Sequence, residues 1–205
     1  MERSAAEYLP QRVSMKSLRE AAAHCRGCDL YKHATQTVFG EGGVRSKVMF
    51  IGEQPGDVED REGHPFVGPA GTLLRKAMTQ AGIDPKAAYI TNAVKHFKFI
   101  ERGKKRIHQK PKTIEIRACE PWLESELRIV HPQIVVALGA TAAQALLGGT
   151  FRLTKHRGEV LSSPLAPRVL ATVHPSSILR APDAQTRRRE MGKFLEDLKQ
   201  VAEML

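Results

Sequence analysis

The sequence predicts a single-domain α/β/α sandwich over residues 1–205, built on a central, mostly parallel four-stranded sheet. Two observations carry this. Four compact runs rich in Val, Ile and Leu each end at a glycine or a polar turn, as strands buried on both faces do. Segments of helical periodicity lie between them, and strands alternating with helices fold into a parallel sheet covered on both sides. A chain of 205 residues is long enough to bury one substantial core, and no Pro/Ser-rich linker or internal repeat divides it.

Ser17 to His24 reads as a short helix that delivers Cys25. Lys47 to Ile51 (KVMFI) is the first strand and breaks at Gly52. The Gly-rich stretch GEQPGDVEDREGHPFVGPAG follows and leads into a helix over Thr72 to Gln80. Ala88 to Val94 (AYITNAV) is the second strand. A polar, lysine-rich loop from Lys98 to Lys112 separates it from a long amphipathic helix, Thr113 to Ile129, that carries Cys119 and Trp122. Gln133 to Leu138 (QIVVAL) is the third strand, and the helix Ala140 to Leu147 stops at Gly148 and Gly149. The fourth strand, Arg168 to Thr172, runs into His174-Pro175-Ser176-Ser177, and a helix from Ala184 to Leu205 closes the chain. Ligands of parallel sheets bind at the carboxyl ends of strands. Gly52 to Gly56, Asn92 to His96 and His174 to Ser177 all lie just after strands, so one site assembled from separated pieces is expected.

Lys and Arg number 32 against 22 Asp and Glu, a formal charge of +10, which points to a polyanionic partner. The cations recur in clusters: Lys104, Lys105 and Arg106, then Lys110 and Lys112, then Arg187, Arg188 and Arg189. Clusters on folded segments suit phosphate contact, because each neutralised phosphate releases counterions; the last run reads instead as the solvated face of a surface helix. Met1 to Arg12 lacks an apolar core, and no segment approaches the ~20 apolar residues of a membrane span. Three cysteines, two of them in Cys25-Arg26-Gly27-Cys28, argue against a disulfide framework and for a reducing, cytoplasmic setting. By itself the Cys-x-x-Cys spacing fits zinc, an iron–sulfur cluster or a redox pair.

The motifs GEQPG, GHPFVGPAGTLL, ITNAVKH, PWL, VVALGATAA and HPSS, in this order between about Cys25 and Arg180, resemble the family 4 iron–sulfur uracil-DNA glycosylases. Two departures resemble the X-type uracil-DNA glycosylases, which bond covalently to their DNA. His96 stands where family 4 carries a cysteine, and the longer following loop holds Lys104-Lys105-Arg106-Ile107-His108, with Lys105-Arg106 where Arg-Arg is common.

The resemblance implies a fold of the glycosylase type and a partner in uracil-containing DNA, single-stranded by preference and double-stranded as well, handled by a monomer. Removing uracil breaks a glycosidic bond whose sugar becomes oxocarbenium-like while the base leaves as an anion. Phe66 is expected to stack on the extruded base, beside the Gly52 backbone. Asn92 offers one acceptor and one donor to N3–H and O4, a pattern that refuses cytosine. His174 is expected to donate to uracil O2. His108, kept unprotonated by surrounding cations, is expected to capture C1′, with Glu53 orienting its ring; Gln54 and Asp57 line the pocket or hold water. DNA contacts are implied at Lys104, Lys105, Arg106, Lys110, Ser176, Ser177 and Arg180. A [4Fe–4S] cluster is implied on Cys25, Cys28, Cys119 and His96, fastening the N-terminal segment 17–35. Three other readings compete: a turnover glycosylase using water near Asp57; a two-metal nuclease built on Asp57, Glu59, Asp60, Glu62 and His64; and a non-catalytic binder of uracil-bearing DNA.

Overall fold

The computed structural model describes residues 3–205. After a 3-10 turn at Ala5–Tyr8, helix α1 (Met15–Ala22) starts on Ser14, whose hydroxyl accepts the Ser17 N–H. Strand β1 (Val48–Gly52), helices α2 (Asp57–Glu62) and α3 (Pro69–Gln80), and strand β2 (Ala88–Asn92) follow. Next come a hairpin of β3 (Phe99–Arg102) and β4 (Lys105–His108), helix α4 (Thr113–Val130), strand β5 (Ile134–Leu138), and helices α5 (Ala140–Leu147) and α6 (Leu153–His156). Strands β6 (Val160–Ser163) and β7 (Ala166–Thr172) and helices α7 (Pro175–Leu179) and α8 (Ala184–Ala202) complete the order.

The sheet runs β2-β1-β5-β7-β6. Its first four members are parallel and correspond to the four expected strands; β6 adds an antiparallel fifth at the edge. The expected four-stranded sheet is therefore corrected to five. Val160–Ser163 is too short and too half-exposed to stand out as an apolar run, and it takes its order from β7. Strands β1, β2 and β5 are buried along their whole length. One face packs Leu74 and Met78 of α3 and Phe194 and Leu198 of α8, the other Leu123 and Leu127 of α4 and Leu146 of α5. A third apolar cluster, Leu18, Ala22, Cys25, Cys119 and Trp122, seats the N-terminal segment on α4.

The lysine-rich stretch 98–112, expected as a loop, contains a two-stranded ladder. Phe99 pairs with His108, Ile100 with Ile107, Glu101 with Arg106 and Arg102 with Lys105, around a Gly103-Lys104 turn. Its stem is closed by the Gln109 N–H donating to the Lys98 carbonyl at 2.9 Å. Among the described residues, no helix is long and apolar enough to cross a membrane.

Candidate active site

Because β1, β2, β5 and β7 are parallel, their carboxyl ends open on one edge of the sheet, and a cavity of about 800 Å³ lies there. Its wall includes Glu53, Phe66, Asn92, His108, His174 and Arg180, drawn from five separate chain segments. Gly52 at the end of β1 has no side chain for a reason: a Cβ there would lie 2.3 Å from Asn92 Oδ1 and 2.6 Å from Phe66 Cζ. Phe66 and Asn92 are buried against each other across that gap.

Phe66 is a bulky residue in the left-handed region, φ 56°, a conformation costing about 1–2 kcal/mol. Surrounding contacts enforce it. The Arg75 guanidinium donates to the Phe66 carbonyl, and Glu59 takes the Gly68 N–H on one carboxylate oxygen (2.8 Å) and the Gly56 N–H on the other (3.1 Å). The ring faces His174 with centroids 5.7 Å apart. Asn92 Oδ1 is buried without a hydrogen-bond partner among the described residues. A buried, unpaired acceptor beside an open cavity is costly unless a ligand supplies the donor.

His174 caps α7. The Ser176 N–H donates to His174 Nδ1 at 3.2 Å, and the Ser176 hydroxyl lies 2.7 Å from the same nitrogen. Nδ1 is thus the acceptor, which leaves the ring proton on Nε2. Burial first, then the Arg180 and His108 charges, push the His174 pKa down to about 4, so at neutral pH the ring is an uncharged N–H donor. His108, half exposed at the end of β4, has Nε2 3.4 Å from Glu53 Oε1. Burial is the main cause of its lowered pKa; Glu53 opposes the shift and Arg180 adds to it. Surrounding cations, the expected cause, contribute through Arg180 but are not the leading one. The Thr141 hydroxyl donates to the second oxygen of Glu53 and fixes that carboxylate.

A family model of the Uracil DNA glycosylase superfamily matches residues 39–199. The chain belongs to the uracil-DNA glycosylase superfamily. It is 35% identical over 175 residues to the type-4 uracil-DNA glycosylase of Thermotoga maritima, spanning 85% of this chain and 88% of the relative. It is 32% identical over 193 residues to the type-4 enzyme of Pyrobaculum aerophilum, with 91% and 92% covered. The type-5 uracil-DNA glycosylase of that organism is 34% identical over 155 residues, with 67% and 64% covered.

In this superfamily member the remaining expected site residues fall into two groups. Lys104, Lys105, Lys110, Ser177 and Arg180 are exposed, the last three on the cavity wall. Arg106 differs: its side chain is only 13% exposed, ion-paired with Asp57 and Asp60 and lying over the Phe97 and Phe99 rings. It holds the hairpin down instead of offering a free fork to phosphate. Asp57, expected to line the pocket or hold water, is engaged by Arg106 and Arg61. The Gln54 side chain is also committed, donating to the Lys98 and Gln109 carbonyls and accepting the Lys98 N–H at 3.0 Å; it clamps the hairpin stem to the end of β1. Ser176 spends its hydroxyl and N–H on His174.

Of the groups invoked for a two-metal nuclease, Glu62 is exposed and the others are likewise occupied. Asp60 accepts the Thr35 N–H and Arg106, Glu59 accepts backbone N–H groups, and His64 pairs with Glu41 at 2.5 Å. Glu59 follows Gly56 by three residues, the spacing of a capping box, so its role had a readable signal. Thr141 had none.

Beneath Asn92, the fully buried Lys95 ammonium donates to the Asn92 carbonyl and the Thr91 hydroxyl, each at 2.7 Å, and to Glu126 at 2.5 Å. Glu126 also accepts from Tyr89 and the Gly40 N–H. The signal missed was a carboxylate within the apolar stripe Leu123, Leu127 and Val130. The Lys95 N–H donates to Cys119 Sγ at 3.3 Å, and the Trp122 indole N–H to Cys25 Sγ at 3.3 Å. Burial raises the Cys28 pKa and raises that of Cys119 to about 12. The Thr37 hydroxyl donates to the Ala22 carbonyl and therefore accepts from His96 Nε2 at 2.9 Å, leaving the lone pair on His96 Nδ1. Cys25 and Cys119 share one apolar cluster with Cys28 packed against it, and His96 follows Lys95, whose N–H reaches Cys119; three thiols and an imidazole are a donor set whose chemistry fits an iron–sulfur cluster. Among the described residues, no three His, Cys, Asp or Glu side chains stand at the separation that holds a metal ion.

Proposed function

We propose that this chain excises uracil from DNA and ends joined to it through a bond between His108 and C1′ of the sugar. The observation carrying this reading is His108 Nε2 set against Glu53 at the rim of a cavity whose floor holds Phe66, Asn92 and His174. The names of the three relatives described above, each a uracil-DNA glycosylase, support the base; the histidine–carboxylate pair supports the bond.

The uracil leaves the stack and enters over Phe66. The unpaired Asn92 Oδ1 accepts N3–H while its amide donates to O4, the reverse of what cytosine needs. As the C1′–N1 bond breaks, the base departs with its electron pair, and the His174 Nε2–H donates to O2, where negative charge gathers. An imidazole nitrogen of His108 supplies the pair that forms the new C1′–N bond. The ring becomes cationic beside Glu53, whose second oxygen is already held by Thr141. Once the remaining ring proton passes to Glu53, the adduct is a neutral N-substituted imidazole that could leave only as an imidazolide anion, a poor leaving group, so the protein turns over once.

Cys25, Cys28, Cys119 and His96 would hold a [4Fe–4S] cluster that ties the N-terminal segment to α4. The turnover reading, with water held by Asp57, is disfavoured because Arg106 and Arg61 occupy that carboxylate.

The test is incubation with a single-stranded oligonucleotide carrying one deoxyuridine, followed by a denaturing gel. The expected result is a heat- and detergent-resistant band that disappears in His108→Ser. A wild-type protein that releases an abasic product without such a band sinks the covalent part and leaves the glycosylase part standing.

A further inference from the structure

The hairpin β3–β4 has two unlike faces. Phe99, His108, Glu101 and Arg106 share one, because residues paired across a ladder lie on the same side and sides alternate along a strand. That inner face is anchored: Phe99 stacks on Phe97 at 5.1 Å, and Arg106 reaches the Asp57 and Asp60 carboxylates. The outer face carries Ile100 opposite Ile107, then Arg102 opposite Lys105. Ile100 is 49% exposed and Ile107 38%. Among the described residues, they are the only exposed large aliphatics paired across a ladder. As a cross-strand pair they add modestly to the hairpin, but the contacts that fasten it to the rest of the protein lie on the other face.

Ile107 also borders the cavity, so the apolar pair runs outward from the rim where a base would enter. Its next rung is two exposed cations. We infer that Ile100 and Ile107 form a contact surface for the DNA base adjacent to the extruded uracil, with Arg102 and Lys105 receiving the phosphate beyond it. This deepens the uracil reading and rests on it. When a base leaves the stack its neighbour loses an apolar partner, and apolar side chains, isoleucine among them, are groups that proteins place against such exposed base faces. The charge of the next rung and the continuity with the cavity select nucleic acid over a protein partner.

The experiment pairs Ile100→Ser, which lies outside the cavity wall, with two oligonucleotides. One has ordinary bases on either side of the deoxyuridine; the other has abasic spacers there. At subsaturating DNA, Ile100→Ser should process the first about fivefold more slowly than wild type and the second at the wild-type rate. Rates at saturating DNA should match on both, Ile100→Val should restore the loss, and unchanged melting curves should show an intact fold. Equal rates on the base-flanked DNA would overturn the inference, as would the same deficit on both substrates. A self-association abolished by Ile100→Ser without flank dependence would also overturn it, assigning the face to a second copy. If wild-type protein left uracil in place on both oligonucleotides, the glycosylase reading itself would fall.

Discussion

Glu53→Gln isolates the charge beside His108 with little change of shape. At the observed 3.4 Å, a full charge pair is worth about 1.2 kcal/mol in water and about 5 kcal/mol at an effective dielectric of 20. His108 is half exposed, so solvent screening puts the value near the lower end, roughly 1–2 kcal/mol. If a cationic ring forms as the C1′ bond is made, its loss should slow capture about 5- to 30-fold. The pH profile gives a second, opposite signature. Glu53 raises the His108 pKa against the dominant effect of burial, so removing it lowers that pKa. Capture needs the neutral ring, so its rate falls as pH drops through the His108 pKa. In Glu53→Gln the plateau should therefore drop while the acid limb moves to lower pH. The assay is single-turnover capture on a deoxyuridine oligonucleotide, quenched and resolved on denaturing gels across pH 4.5–8. A plateau within twofold of wild type, or an acid limb displaced upward, would refute the reasoning.

Lys95→Met strands the fully buried Glu126 carboxylate and should cost about 3–5 kcal/mol, a fall in melting temperature of roughly 6–20 °C; Lys95→Met with Glu126→Gln should recover much of it, and a single variant melting within 2 °C of wild type would contradict the network. Gly71→Ala would place a Cβ 1.5 Å from the Phe66 carbonyl oxygen, so a loss of at least about 2 kcal/mol in denaturant unfolding is expected, together with loss of excision. Cys119→Ser should lower the iron content of the purified protein and its melting temperature together; zinc in place of iron in the wild type would rule out the cluster.

The parallel strands are legible because fully buried runs such as IVVAL have no competing pattern, and their ends locate the site without further help. Strand β6 is illegible for the opposite reason: VLSS is short, and its order is tertiary. The hairpin is an intermediate case. A Gly-Lys turn is present, but Phe99 and Ile100 are adjacent apolar residues followed by two charged ones, so no period-two face can be read from the strand. Strand ends pointed to Asn92 and His174 as parts of one site, the family resemblance added Phe66 and His108, and all four line the one cavity. It could not tell that Arg106 faces inward, because a cation's role depends on which carboxylates the fold brings within reach. Asp57 and Asp60 lie 46 or more positions away in the chain.

The stem of the hairpin makes it a removable cassette. Lys98 and Gln109 are already joined by one hydrogen bond, and both are gripped by the single side chain of Gln54. Residues 99–108 could be cut out and the two ends spliced without disturbing a strand of the main sheet. The same ten residues, moved with Gln54 and the two carboxylates that hold Arg106, constitute a portable part. If His108 captures the sugar as proposed, a glycosylase that releases its product and one that keeps it would differ by one short insertion, a change within reach of a single genetic event and of protein engineering alike.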